Sequence, residues 1–189
     1  MATIHTSQSP CHNHNVDTLK VKLQEALENT GGQVWIIPEA EFITDSHVVS
    51  VDIILVGYLE GYGSDKKNFS FITTVEVKHH NADALYIKGE KVFVKYTGHD
   101  ACATDQINIQ KYTVAHVLSS AFTHPPYVSS LIWVDHITTS QLQTVSSPEI
   151  ITADFSVEDL LNKIICEAEH TEEEMTAMAE SLCKYNNKS

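Results

Sequence analysis

The segment Val48 to Val56, VVSVDIILV, constrains this chain more than any other. Its density of β-branched residues reads as a strand packed into a core. One carboxylate, Asp52, sits in the middle of it. Placing an acid in so apolar a strand is costly unless it has a partner or a task.

The next stretch, Gly57 to Asn68, holds three glycines and the charged Asp65-Lys66-Lys67, the composition of a turn or loop. A second strand, Phe69 to Lys78, follows it, so a hairpin is the natural connection. Strand side chains alternate faces, which puts Thr74, Glu76 and Lys78 on one side and Val75 and Val77 on the other. With the turn near Ser64, residues whose numbers sum to about 128 face each other, and Asp52 falls across from Glu76. Two adjacent carboxylates repel, and a shared proton, a cation or a metal relieves the repulsion. Lys78 answers part of the charge, and a hard divalent ion, Mg²⁺ or Mn²⁺, would answer the rest. An isolated Glu-x-Lys reads most simply as a surface ion pair. Asp52 opposite it is what makes this one different.

Around the hairpin the chain alternates helices and strands. Val16, Leu19, Leu23, Ala26 and Leu27 recur at helical spacing and stop before Gly31-Gly32. Val34 to Ile37 reads as a short strand ended by Pro38. Lys88-Gly89-Glu90-Lys91 leads into Val92 to Tyr96 as a small hairpin, and Gln106 to Phe122 is helical until Pro125-Pro126. Val128 to Val134 is apolar enough for a buried strand, and Glu149 to Phe155 is a further strand candidate. Two closing helices each open on a capping box, Ser156 with Asp159 and Thr171 with Glu174. The order predicts an α/β fold, a mixed central sheet flanked by helices, with 156–189 as a short C-terminal helical extension. Residues 1–15 are polar and aperiodic, which predicts a flexible tail. Cys11, His12 and His14 within it do not define a metal site by spacing.

Composition limits the function. The chain has 189 residues and a formal net charge of -13, and every basic residue is Lys. Duplex binding draws much of its free energy from basic side chains at phosphates, so a free-standing, tight nucleic-acid binder is disfavoured. Phosphate contacts would be few and metal-assisted, or a basic protein partner would supply them. The four cysteines form no CxxC pair, and no apolar run approaches membrane-spanning length. A soluble, cytoplasmic chain with no membrane partner is the expectation; a homo-oligomer stays open.

Asp52 in VVSVDIILVG, Glu76 and Lys78 in FITTVEVKHH, then Gln106 opening a helix, is similar to the D…ExK…Q order of the PD-(D/E)XK nuclease fold. Most of all it resembles the nuclease-related domain family, often called NERD, over residues 16–155. The resemblance implies a restriction-endonuclease-like sheet and metal-dependent cleavage of phosphodiester bonds in DNA or RNA. It implies Asp52 and Glu76 as metal ligands, the Val77 carbonyl as a further ligand, Lys78 near the nucleophilic water, and Gln106 in support. The family often adds a Glu from the first helix; Asp17 stands nearest that place here and Glu25 is a second candidate. The residues before Gln106, Cys102-Ala103-Thr104-Asp105, lack the Asn-Pro often found there, and Gln110, one turn on, could serve instead. His79, His80 and His116 lie near these motifs and read first as wetted side chains. Two other functions compete: a non-catalytic nuclease-fold module acting as a structural or regulatory partner, and an acidic surface imitating nucleic acid.

Overall fold

The computed structural model describes residues 1–142, 145 and 147–186. The chain runs β1 (Thr3–Thr6), α1 (His14–Leu27), β2 (Gln33–Ile43), β3 (Val48–Tyr62), β4 (Lys67–Lys78), β5 (Leu85–Lys88), β6 (Lys91–Tyr96) and β7 (His99–Cys102). It continues through α2 (Ala103–Ala121), β8 (Val128–Val134), β9 (Ile150–Thr152), α3 (Val157–Ile164), β10 (Cys166–Glu167) and α4 (Glu172–Cys183). The main sheet has the order β1-β2-β3-β4-β8-β9, with β10 added against the start of β4. β2, β3 and β4 form an antiparallel meander, while β8 joins β4 in parallel and β9 joins β8 in parallel. The fold is therefore α/β with a mixed sheet flanked by helices. A second, three-stranded sheet, β5-β6-β7, sits beside the start of α2.

Each face of the main sheet is covered. On one, Val16, Leu19, Leu23 and Leu27 of α1 and Leu160, Leu161 and Ile164 of α3 pack on Ile53, Leu55, Val75 and Trp133. On the other, Val114 and Leu118 of α2 and Met175, Met178 and Leu182 of α4 pack on Ile54, Val56 and Ile72. Full burial of such aliphatic side chains contributes about 1.5–3 kcal/mol each, which is why the helices lie flat on the sheet. Both predicted capping boxes are formed, at Ser156 with Asp159 and at Thr171 with Glu174.

Three expectations are corrected. Residues 1–15 are not simply a flexible tail: Thr3–Thr6 forms β1, parallel to β2, and His5 stacks on Trp35 with ring centroids 4.7 Å apart. The short polar segment gave no periodic signal because it pairs through its backbone. Pro38 does not end a strand either. β1 pairs with β2 only as far as Ile36, so beyond that point β2 has β3 on one side, and a residue without an N–H is tolerated there. Finally, the predicted C-terminal extension is part of the core, since α3 and α4 each cover one face of the sheet; its last residues, 187–189, lie outside the described residues.

β2 and β3 are creased at the same level. Trp35 and Ile37 share a face with Ala40 and Phe42, and Val49 and Val51 share a face with Ile54 and Val56, so alternation breaks between Ile37 and Ala40 and between Val51 and Ile54. Glu39 absorbs the break in β2 with a positive φ of 51°. In β3 the break falls at Asp52.

Candidate active site

The β3–β4 ladder keeps a constant register from Leu59↔Phe69 to Ile53↔Val75 and stops there. Every one of those pairs sums to the value expected from the sequence, and the next pair along would be Asp52 with Glu76. In place of a further backbone pairing, Asp52 Oδ2 accepts the Val77 N–H at 2.8 Å. A strand residue's N–H and C=O leave by the same edge, so the Val77 carbonyl also points toward the opening between the two strands. The crease at Asp52 thus leaves a ladder position without its backbone partner, edged by a carboxylate and a backbone carbonyl.

Glu76 and Lys78 lie on the α2 side of β4 and are each only 8% exposed. Lys78 Nζ sits 3.6 Å from Glu76 Oε1 and donates to Gln106 Oε1 at 2.8 Å. Gln106 Nε2 donates to Glu76 Oε1 at 3.0 Å. Gln110, one turn along α2 and 3% exposed, donates to Glu76 Oε2 at 2.7 Å and to the Ser50 carbonyl at 3.2 Å. The two glutamines hold Glu76 by both oxygens, and Gln106 links it to Lys78. The helix start is fixed locally by β6, where Val92 N–H bonds Thr104 Oγ1 and Lys91 pairs with Asp105.

Burial, reinforced by the neighbouring Glu76 carboxylate, pushes the Asp52 carboxyl up to about 7, against the opposing pull of the Val77 amide and Lys78. One ammonium does not balance two carboxylates in so dry a place. The donor set is all oxygen: the Asp52 and Glu76 carboxylates and the Val77 carbonyl. Those are the ligands that Mg²⁺ and Mn²⁺ take, so the residues present fit a hard divalent cation.

The other candidates are placed elsewhere. Asp17 accepts the Cys11 N–H and pairs with Lys20, and Glu25 lies beside Ala153 and Phe155. Both belong to α1, on the sheet face opposite Glu76, so neither joins the Glu76–Lys78 cluster. His116 lines a groove with Phe42, Ile43 and Tyr112. His80 packs edge-on against Tyr96, and its burial next to Lys78 lowers its pKa. Trp35 and Trp133 are core residues, as their apolar strands imply.

The sequence reading missed Glu39, whose carboxylate takes the N–H groups of His12 and Asn13 ahead of α1, where the helix dipole favours an acid. It also missed Asp135 and His136, which follow β8 as His79 and His80 follow β4. The Val-Asp-His and Lys-His-His strand ends could have been matched only by knowing that β4 and β8 run parallel and in register. No family model, curated protein or solved structure matches this chain.

Proposed function

We propose that this protein is a divalent-metal-dependent nuclease, or a nuclease subunit, hydrolysing phosphodiester bonds in DNA or RNA. One observation carries the reading: Asp52 and Glu76 meet where the β3–β4 ladder opens, with the Val77 backbone between them and Lys78 on the Glu76 face. The order of elements, a helix, an antiparallel meander, a helix and a parallel strand, supports a restriction-endonuclease-like fold of the PD-(D/E)XK type and the likeness to the NERD family.

In this reading Asp52, Glu76 and the Val77 carbonyl hold Mg²⁺ or Mn²⁺. When bound, the cation polarises the phosphoryl oxygen and lowers the pKa of water. Lys78 Nζ, the ammonium paired with Glu76, would orient the attacking water by donating to its oxygen and stabilise the negative charge that develops there. Gln106 holds Lys78 and Glu76 in register, and Gln110 fixes the second oxygen of Glu76. With a net charge of -13, substrate binding is weak unless a basic partner assists.

The test is cleavage of labelled DNA and RNA, single- and double-stranded, with Mg²⁺ or Mn²⁺. Glu76→Ala abolishes cleavage and Lys78→Ala lowers it by at least about 100-fold, while circular dichroism stays unchanged. Cleavage untouched by both substitutions rejects the site.

A second reading rests on a specific feature. Both Glu76 oxygens already have protein donors, and an acid so satisfied suits a non-catalytic module that serves as a structural or regulatory partner. The absence of Mn²⁺ binding, together with no cleavage of any nucleic acid, makes that the better account.

A further inference from the structure

Beyond the β3–β4 opening, the ends of β4 and β8 bring a second group of side chains together. The two strands are parallel with Lys78 beside Val134, and the Asp135 N–H donates to the Lys78 carbonyl at 3.3 Å. The next residues therefore lie side by side. His79 Nδ1 is 2.6 Å from Asp135 Oδ2, and His136 Nε2 is 2.9 Å from His79 Nε2, with the two rings 4.0 Å apart at their centroids. Each of the three residues offers one ligand atom, all within 4.8 Å of one another. Among the described residues no other group of this kind is gathered.

We propose that His79, Asp135 and His136 bind a borderline divalent cation of the zinc type, which clasps the carboxyl ends of β4 and β8. Two imidazole nitrogens and one carboxylate oxygen form the donor set of zinc, cobalt or nickel rather than of magnesium. The two facing nitrogens are at hydrogen-bond distance, and a cation shared by the three residues takes one nitrogen from each ring. Nitrogens that face each other this way share one proton at most, and the cation takes the place of that proton.

A second observation points the same way. Asp135 Oδ1 is buried with no hydrogen-bond partner, and the side chain is only 8% exposed. A buried carboxylate oxygen left without a donor is costly, and a cation supplies what is missing. Three protein ligands leave a fourth position open. His79 and His136 line an open cleft of about 390 Å³ together with His80, Asn81, Asp83 and Ala84. The site uses none of the atoms assigned to the hydrolytic centre, so loss or absence of nuclease activity says nothing about it.

The experiment uses tag-free, chelator-treated, full-length protein. Zn²⁺ is titrated by calorimetry, and Co²⁺ is followed by its visible absorption. The expected result is one Zn²⁺ per chain, a tetrahedral Co²⁺ spectrum, and a higher melting temperature with Zn²⁺. His136→Ala and His79→Ala, both at exposed positions, weaken Zn²⁺ binding by at least about 10-fold and remove the melting shift; Glu76→Gln changes neither. Absence of Zn²⁺ binding up to millimolar concentration overturns the proposal. So does binding that both histidine variants retain, or binding that Glu76→Gln removes, which would assign the ion to the β3–β4 opening.

Discussion

Asp52 accepts the backbone N–H of Val77 at 2.8 Å, one residue past the last backbone pair of the β3–β4 ladder. A side chain thus occupies a place that a strand backbone would otherwise fill. The carboxylate is held where the β3–β4 ladder ends, inside the sheet, where it faces Glu76 and lies next to the Val77 carbonyl.

The hydrolytic reading makes unequal demands on the residues around that point. Lys78→Ala removes the group that handles the attacking water and is expected to lower cleavage by about 10²–10⁴-fold. Single-turnover rates on a labelled oligonucleotide at saturating Mn²⁺ measure this. Gln106→Ala, which frees Lys78 without removing it, has a smaller effect in the same assay.

Gln110 is the most buried member of the cluster, and its amide serves both Glu76 Oε2 and the Ser50 carbonyl. Gln110→Leu leaves a buried carboxylate oxygen without its donor and is expected to cost about 1–3 kcal/mol of stability. Urea unfolding at neutral pH checks it.

The raised pKa of Asp52 makes the metal-free protein pH-sensitive. Between the ordinary value of 3.8 and the folded value of about 7 the folded state holds a proton that the unfolded state has released. Stability from this group is therefore full below about pH 4, falls as pH rises toward 7, and is flat above. Asp52→Asn, which can still accept the Val77 N–H, flattens that part of the profile. Millimolar Mg²⁺ favours the ionised form and raises the melting temperature more at pH 8 than at pH 6. Thermal melts of the two proteins across pH, with and without Mg²⁺, read out both effects.

Gly57 lies opposite Phe71 on β4, and a Cβ there would come within 2.2 Å of the Phe71 ring. The ring has to move for any larger residue, inside a packed sheet face. Gly57→Val is expected to destabilise by about 1–3 kcal/mol, measured by denaturant unfolding, with the metal affinity of the β3–β4 opening little changed.

Much of this was legible before the structure, for physical reasons. The hairpin register followed from a turn near Ser64 and strand alternation, and the ladder from Leu59↔Phe69 to Ile53↔Val75 keeps it. The helix caps at Ser156 and Thr171 are local chemistry and appear where the sequence puts them. What stayed hidden depends on contacts between distant segments. Thr3–Thr6 becomes a strand only because β2 offers it an edge, and Pro38 is tolerated only because β1 stops short of it. The break in alternation at Asp52 was also beyond a period-two reading, which placed the carboxylate squarely on one face; the crease shared with Glu39 turns it toward the Val77 amide instead. The His79–Asp135–His136 group needed the parallel pairing of β4 with β8, two strands separated by the whole of α2.

The central claim is that the opening between Asp52 and Glu76 is a hydrolytic metal centre. The most direct measurement is anomalous scattering from a crystal soaked in Mn²⁺. The account predicts a peak about 2.0–2.3 Å from the Asp52 and Glu76 carboxylates and the Val77 carbonyl, lost in Glu76→Gln crystals. Absence of a peak there at millimolar Mn²⁺, or a peak at His79, Asp135 and His136 alone, would contradict it.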